Sequence, residues 1–157
     1  MSIQDSIQSQ YLAALEMLRY AIETCPDALW EDPAYPNVFA RVVSHTLFYT
    51  HFYLCPGLGH FKPWAKHREG IGQMDSACES FSKAEMFEYL ALVRQEVVEK
   101  AASIDLESPS GFHWLPFNRL ELHLYNLRHI QQHTGELYER LGGAGHANLE
   151  CVLIGKP

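Results

Sequence analysis

Basic residues are in short supply in this chain. Twelve lysines and arginines stand against 19 aspartates and glutamates, a formal net charge of −7. Phosphate binding depends on clustered cations, so this balance argues against nucleic acid as a partner. Long apolar runs are missing as well, none approaching the ~20 residues that span a bilayer. The opening Met1-Ser2-Ile3-Gln4-Asp5 has neither the basic nor the apolar part of a secretion signal, which predicts a cytoplasmic protein. Cysteine is sparse, and Cys25, Cys55, Cys78 and Cys151 form no Cys-x-x-Cys pair. Neither a zinc–thiolate site nor a disulfide framework is therefore expected, and the four read as reduced, small apolar residues. No phosphate loop, dinucleotide fingerprint or Gly-x-Ser-x-Gly elbow occurs. With 157 residues, no repeat and no shift in composition, the chain is expected to form one domain over 1–157 with a single core.

Histidine, by contrast, is abundant, with nine in the chain. Placing them requires the helices. Ser2 and Asp5 form a capping-box signal ahead of Ile3, Ile7, Tyr11, Leu15, Leu18, Ile22 and Cys25, a stripe at steps of three and four that predicts a helix over about 2–25. Pro26 ends it, and 26–36, with three prolines, reads as an ordered loop. A second helix is predicted over 37–54, with Val38, Val42, His45, Tyr49, Phe52 and Tyr53 on one arc of about 100°. His45 lies inside that arc and should point into the core, whereas His51 lies outside it and should face solvent.

The segment from Cys55 to Phe81 is long and rich in glycine and proline, a length usually reserved for functional loops. Its basic group Lys62, Lys66, His67 and Arg68 reads as solvated surface, or else as a contact for an anionic group or a partner subunit. Ser82 and Glu85 form a second capping box for a helix over about 82–103, marked by Met86, Leu90, Val93, Val97 and Ala101. A fourth helix is predicted over 119–141, opened by Asn118 and Glu121 and stopped by Gly142-Gly143. The tail carries Glu150-Cys151-Val152-Leu153-Ile154, a short strand or an extended segment. Four amphipathic helices of this length predict an all-α four-helix bundle with a long loop between helices 2 and 3 and a short C-terminal tail.

On the fourth helix His129 and His133 are four residues apart, so their Cβ atoms lie roughly 5–6 Å apart on one face. That spacing lets two imidazoles share one ion at Zn–N distances of about 2.0–2.1 Å. Alone, the pair is equally consistent with two half-exposed histidines and no ligand. His45, midway along a second long helix and facing inward, makes a third ligand available. His123 lies about 120° round the helix from His129 and about 9 Å along it, too far to share that ion. It reads as a core residue or one standing behind the ligands. Position 130 is isoleucine, so the His-Glu-x-x-His motif with its built-in base is excluded. Glu136, one turn past His133, is the nearest candidate catalytic base, or else a solvated carboxylate. Trp30, Tyr35, Trp114 and the 55–81 loop are candidates to wall a pocket.

Two stretches, Val43-Ser44-His45-Thr46-Leu47-Phe48-Tyr49 and Leu124-Tyr125-Asn126-Leu127-Arg128-His129-Ile130-Gln131-Gln132-His133-Thr134-Gly135, place one histidine midway in helix 2 and His-x-x-x-His late in helix 4. In this the chain resembles the DinB-like superfamily of damage-inducible, metal-dependent proteins, from the first helix to about Gly142. The resemblance implies an up-down-down-up bundle, frequent homodimers, and His45, His129 and His133 as ligands of a zinc or nickel ion. It also implies chemistry of the kind known in that family, thiol-dependent transfer and isomerisation with a low-molecular-weight thiol as co-substrate. The sequence departs from the family pattern after the last ligand, where Thr134-Gly135 replaces the frequent Arg-Gly. Three neutral imidazoles with an open position suit a catalytic ion that activates water or a thiol for a transferase or hydrolase acting on a small-molecule substrate. The competing expectation is a non-catalytic metal-binding bundle that serves as a dimerisation or binding module.

Overall fold

The computed structural model describes residues 2–75, 78–146 and 149–157. Among them the chain forms five α-helices: α1 (Ile3–Thr24), α2 (Asp27–Trp30), α3 (Phe39–Tyr53), α4 (Lys83–Lys100) and α5 (Arg119–Gly143). Two single 3₁₀ turns, Leu58–His60 and Ala101–Ser103, complete the regular structure of these residues. No strand forms among them, and Pro109 and Asn118 make one isolated antiparallel bridge. None of these helices is long and apolar enough to cross a membrane.

Helix starts follow local side-chain chemistry. At α1 the Ser2 hydroxyl accepts from the Asp5 N–H (3.0 Å), and the Asp5 carboxylate accepts from the Ser2 N–H (2.7 Å). At α4 Ser82 and Glu85 repeat the arrangement at 3.2 and 2.8 Å. The Asn118 side chain accepts from the Glu121 N–H at the start of α5 (3.0 Å). The far end of α5 differs from expectation. Gly142 and Gly143 continue the helix, and the exit comes at Ala144–His146, whose N–H groups turn back on the Arg140, Leu141 and Gly142 carbonyls. Glycine interrupts a helix only weakly when nothing nearby takes over its hydrogen bonds.

The four long helices surround a main core of residues such as Tyr11, Leu15, Phe39, Leu47, Met86 and Leu137, and Phe52, Tyr53, Phe112 and Leu122 form a second, smaller cluster rather than joining the single core expected. Their directions follow from the contacts between them. Helices α1 and α5 run the same way, with Tyr11 against His123 and Met17 against Tyr138. Helix α4 runs against α1, since Gln8 reaches the Val98 carbonyl and Lys83 the Cys25 carbonyl. Helix α3 runs against α5, with His45 beside His133 and the Asn126 amide donating to the Thr50 carbonyl (3.2 Å). It runs with α4, as Arg41 meets Cys78 and His51 meets Tyr89. Consecutive long helices α1–α3 and α4–α5 are thus diagonal, while α3 and α4 are neighbours bridged by the 55–81 segment.

Several sequence expectations change here. Ile3 heads the α1 stripe yet is exposed, because the core begins one turn later at Ile7. The 26–36 loop contains α2, which turns Trp30 inward so that its Nε1–H donates to the Phe81 carbonyl (2.9 Å). His51 is buried, not solvent-facing, and its Nδ1 lies 3.1 Å from the Tyr89 hydroxyl. The 55–81 segment covers that side of α3, with Trp64 stacked on Tyr89 at 4.6 Å and Phe61 against His51 at 5.0 Å. Its cations largely find partners, Lys66 with Glu88 and Arg68 with Glu85. Cys25, Cys55 and Cys151 are free thiols. Cys25 and Cys55 are buried as expected of small apolar residues, but Cys151 is exposed on the tail. That tail is extended and lies along α1 through the Gly155 N–H to the Ser9 carbonyl (3.2 Å).

Candidate metal centre

Helix α3 carries His45, and α5 carries His129 and His133, at the level where these two antiparallel helices face each other. One nitrogen from each imidazole falls in a group whose members lie within 4.8 Å of one another. The ring centroids are 4.7–5.1 Å apart. No other histidine, cysteine or carboxylate of the described residues joins the group.

The outer nitrogens fix the ring orientations. The Nδ1 of His45 lies 2.9 Å from the Gly72 carbonyl, which can only accept, so Nδ1 carries the hydrogen and Nε2 presents its lone pair to the cluster. The Nδ1 of His133 sits 3.3 Å from a carboxylate oxygen of Glu136 and points its other nitrogen inward in the same way. Glu136 is clamped in turn by Arg140, which is buried, donates to the Asn37 carbonyl (2.6 Å) and lies over the Tyr35 ring (4.6 Å). His129 differs, because its Nδ1 is buried without a hydrogen-bond partner among the described residues.

Burial sets the protonation. It drives the His45 imidazole down to about 4, helped by His133 next to it. His129 falls to about 3, again through burial first and then the neighbouring His133 and His45. Both rings are therefore neutral at physiological pH, the form in which imidazole binds metals. The 3.1 Å between the Nε2 atoms of His45 and His129 is close to the roughly 3.3 Å edge of a tetrahedral site with Zn–N bonds of about 2.0–2.1 Å. The donor set and its spacing fit a divalent ion.

Of the residues singled out in sequence, His45, His129 and His133 come together, and Glu136 stands behind His133. His123 is set apart, fully buried with its Nδ1 3.0 Å from the Tyr11 hydroxyl. Trp114 and the 55–81 segment border a cavity beside the cluster, whereas Trp30 belongs to the core and Tyr35 lies beneath Arg140. Gly72 and Arg140 escaped sequence reasoning. Arg140 left a faint signal, being four residues after Glu136 in a spacing that pairs opposite charges. Gly72 left none. Its carbonyl reaches His45 because the loop backbone lies directly on α3, where a Cβ would meet Phe48 at 2.7 Å. Comparison of the chain with protein-family models, curated proteins and solved structures returns no match.

Proposed function

We propose that His45, His129 and His133 hold one divalent ion and that the protein is a metal-dependent enzyme of the DinB-like kind. The observation that carries this reading is the convergence of three imidazole nitrogens within 4.8 Å, two of them aimed inward by fixed partners on the opposite ring nitrogen. Metal-binding histidines characteristically make this outer hydrogen bond. The alternation of helix directions, α1 and α5 one way and α3 and α4 the other, supports the up-down-down-up arrangement of that superfamily.

Zinc and nickel both suit three neutral imidazoles. An ion bound there supplies Lewis acidity, lowering the pKa of a water or thiol brought to its remaining position. The chain's own residues orient and exclude. Gly72 and Glu136 hold His45 and His133 in one tautomer, and Arg140 keeps Glu136 in place. Tyr49 lays its ring edge-on against both His45 and His129. With no fourth protein ligand among the described residues, the arrangement favours a catalytic site over a purely structural one. The test is a panel assay on protein loaded with zinc or nickel, pairing small thiols with electrophiles and, separately, water with esters and amides. Metal-dependent turnover in either arm is the expected result. Full metal loading with no turnover in any arm favours the non-catalytic binding module instead.

A further inference from the structure

Beside the three histidines lies a cavity of about 450 Å³, within the roughly 300–1,000 Å³ range of small-molecule pockets. One side is built by α3, whose Phe48, Tyr49, Phe52 and Tyr53 all turn towards it. Trp114, from the connection before α5, faces them, 44% exposed and nearly parallel to Phe52 (6.4 Å, 9°). Tyr49 and Tyr53 stack on each other at 5.6 Å. The cavity shares two residues with the candidate metal centre. Tyr49 touches the imidazoles of His45 and His129, at 4.9 and 5.6 Å between ring centroids, and Gly72 carries the carbonyl that holds His45.

Its charge is as telling as its shape. Glu69 is the acidic residue of the lining, His67 is its histidine, and no lysine or arginine contributes to it. Lys66 and Arg68 of the neighbouring loop are directed elsewhere, Lys66 to Glu88 and Arg68 to Glu85 and to the Glu79 and Ser80 carbonyls. A carboxylate placed here would lose water with no lysine or arginine to pair with and would share the lining with Glu69, a costly exchange. A flat ring would gain stacking surfaces on the aromatic side chains.

We propose that this cavity binds a planar aromatic molecule without negative charge and presents it to the three-histidine centre. The presentation, though not the binding, rests on the metal-enzyme reading above. The cavity is then the place of an aromatic substrate and not of a carboxylate-bearing thiol.

Calorimetric titration of chelator-treated protein with 1-naphthol and 1-naphthoate tests the binding. One naphthol should bind per chain, with naphthoate at least tenfold weaker. Trp114→Ala should weaken naphthol by roughly three- to tenfold, the worth of one aromatic pair. Glu69→Lys should raise the affinity for naphthoate and leave naphthol within about twofold. Equal affinity for the two probes, or indifference to both substitutions, overturns the proposal. A second arm separates the two readings. In cobalt(II)-loaded protein the visible ligand-field bands should shift when naphthol saturates, and binding without a shift overturns the link between cavity and centre. Failure to take up cobalt removes the metal reading and with it the presentation, while the calorimetry still decides what the cavity binds.

Discussion

His133, Glu136 and Arg140 occupy one face of α5 at spacings of three and four, and each fixes the next. Glu136 therefore has a defined position behind a candidate ligand, and its two conceivable roles give different outcomes. As an orienting group it makes Glu136→Ala lower metal affinity by about 10- to 100-fold, the usual effect of losing such a partner, without abolishing binding. As a group that moves protons it makes Glu136→Gln spare metal affinity and depress turnover. Competition titration against a chelator of known affinity, with activity measured on the same samples, distinguishes them. The geometry predicts the affinity loss, since Glu136 reaches His133 on the ring nitrogen opposite the cluster. Gly72 makes a similar prediction from the other helix. Gly72→Val must displace Phe48 or lift the loop, separating the carbonyl from His45, so metal affinity should fall although no ligand is altered.

At the scale of the elements, helix starts were legible because they are local. Ser2 with Asp5 and Ser82 with Glu85 cap through atoms three residues apart, and no distant part of the chain can undo that. Ser82→Ala should accordingly cost about 1 kcal/mol in urea unfolding. His45 was legible for a related reason, lying among apolar residues on α3. His51 was not, because α3 is covered on nearly every side. Its polar Ser44, Thr46 and Thr50 look like a solvent face, yet each hydroxyl is buried and donates to a carbonyl three or four residues back. The cover over His51 comes from Phe61 and Trp64 in a loop without periodicity. The tail was likewise ambiguous, since what holds it is a contact with α1. A Cβ on Gly155 would come within 2.4 Å of the Ala13 nitrogen and the Leu12 Cβ. Gly155→Val should therefore release the tail, seen as faster hydrogen exchange over 149–157 with the exchange of α4 unchanged.

For the molecule as a whole, burial of neutral histidines ties stability to pH. Burial pushes His51 and His123 each down to about 4 from an ordinary value near 6.5. Between those limits the unfolded chain binds more protons than the folded one, so stability rises with pH through this window. The contribution of the two residues is complete above about 6.5 and is lost as pH falls towards 4. Metal-free protein should lose thermal stability over that range, and His51→Gln should flatten the slope while lowering stability at neutral pH. The candidate metal centre is also a property of the whole chain, because the three histidines come from helices far apart in sequence. Metal content per chain, measured after saturation and desalting, tests it most directly. One divalent ion per wild-type chain is expected, little or none after His45→Ala, His129→Ala or His133→Ala, and one still present after His51→Gln. Wild-type protein that retains no ion, or His45→Ala protein that retains as much as wild type, would contradict it.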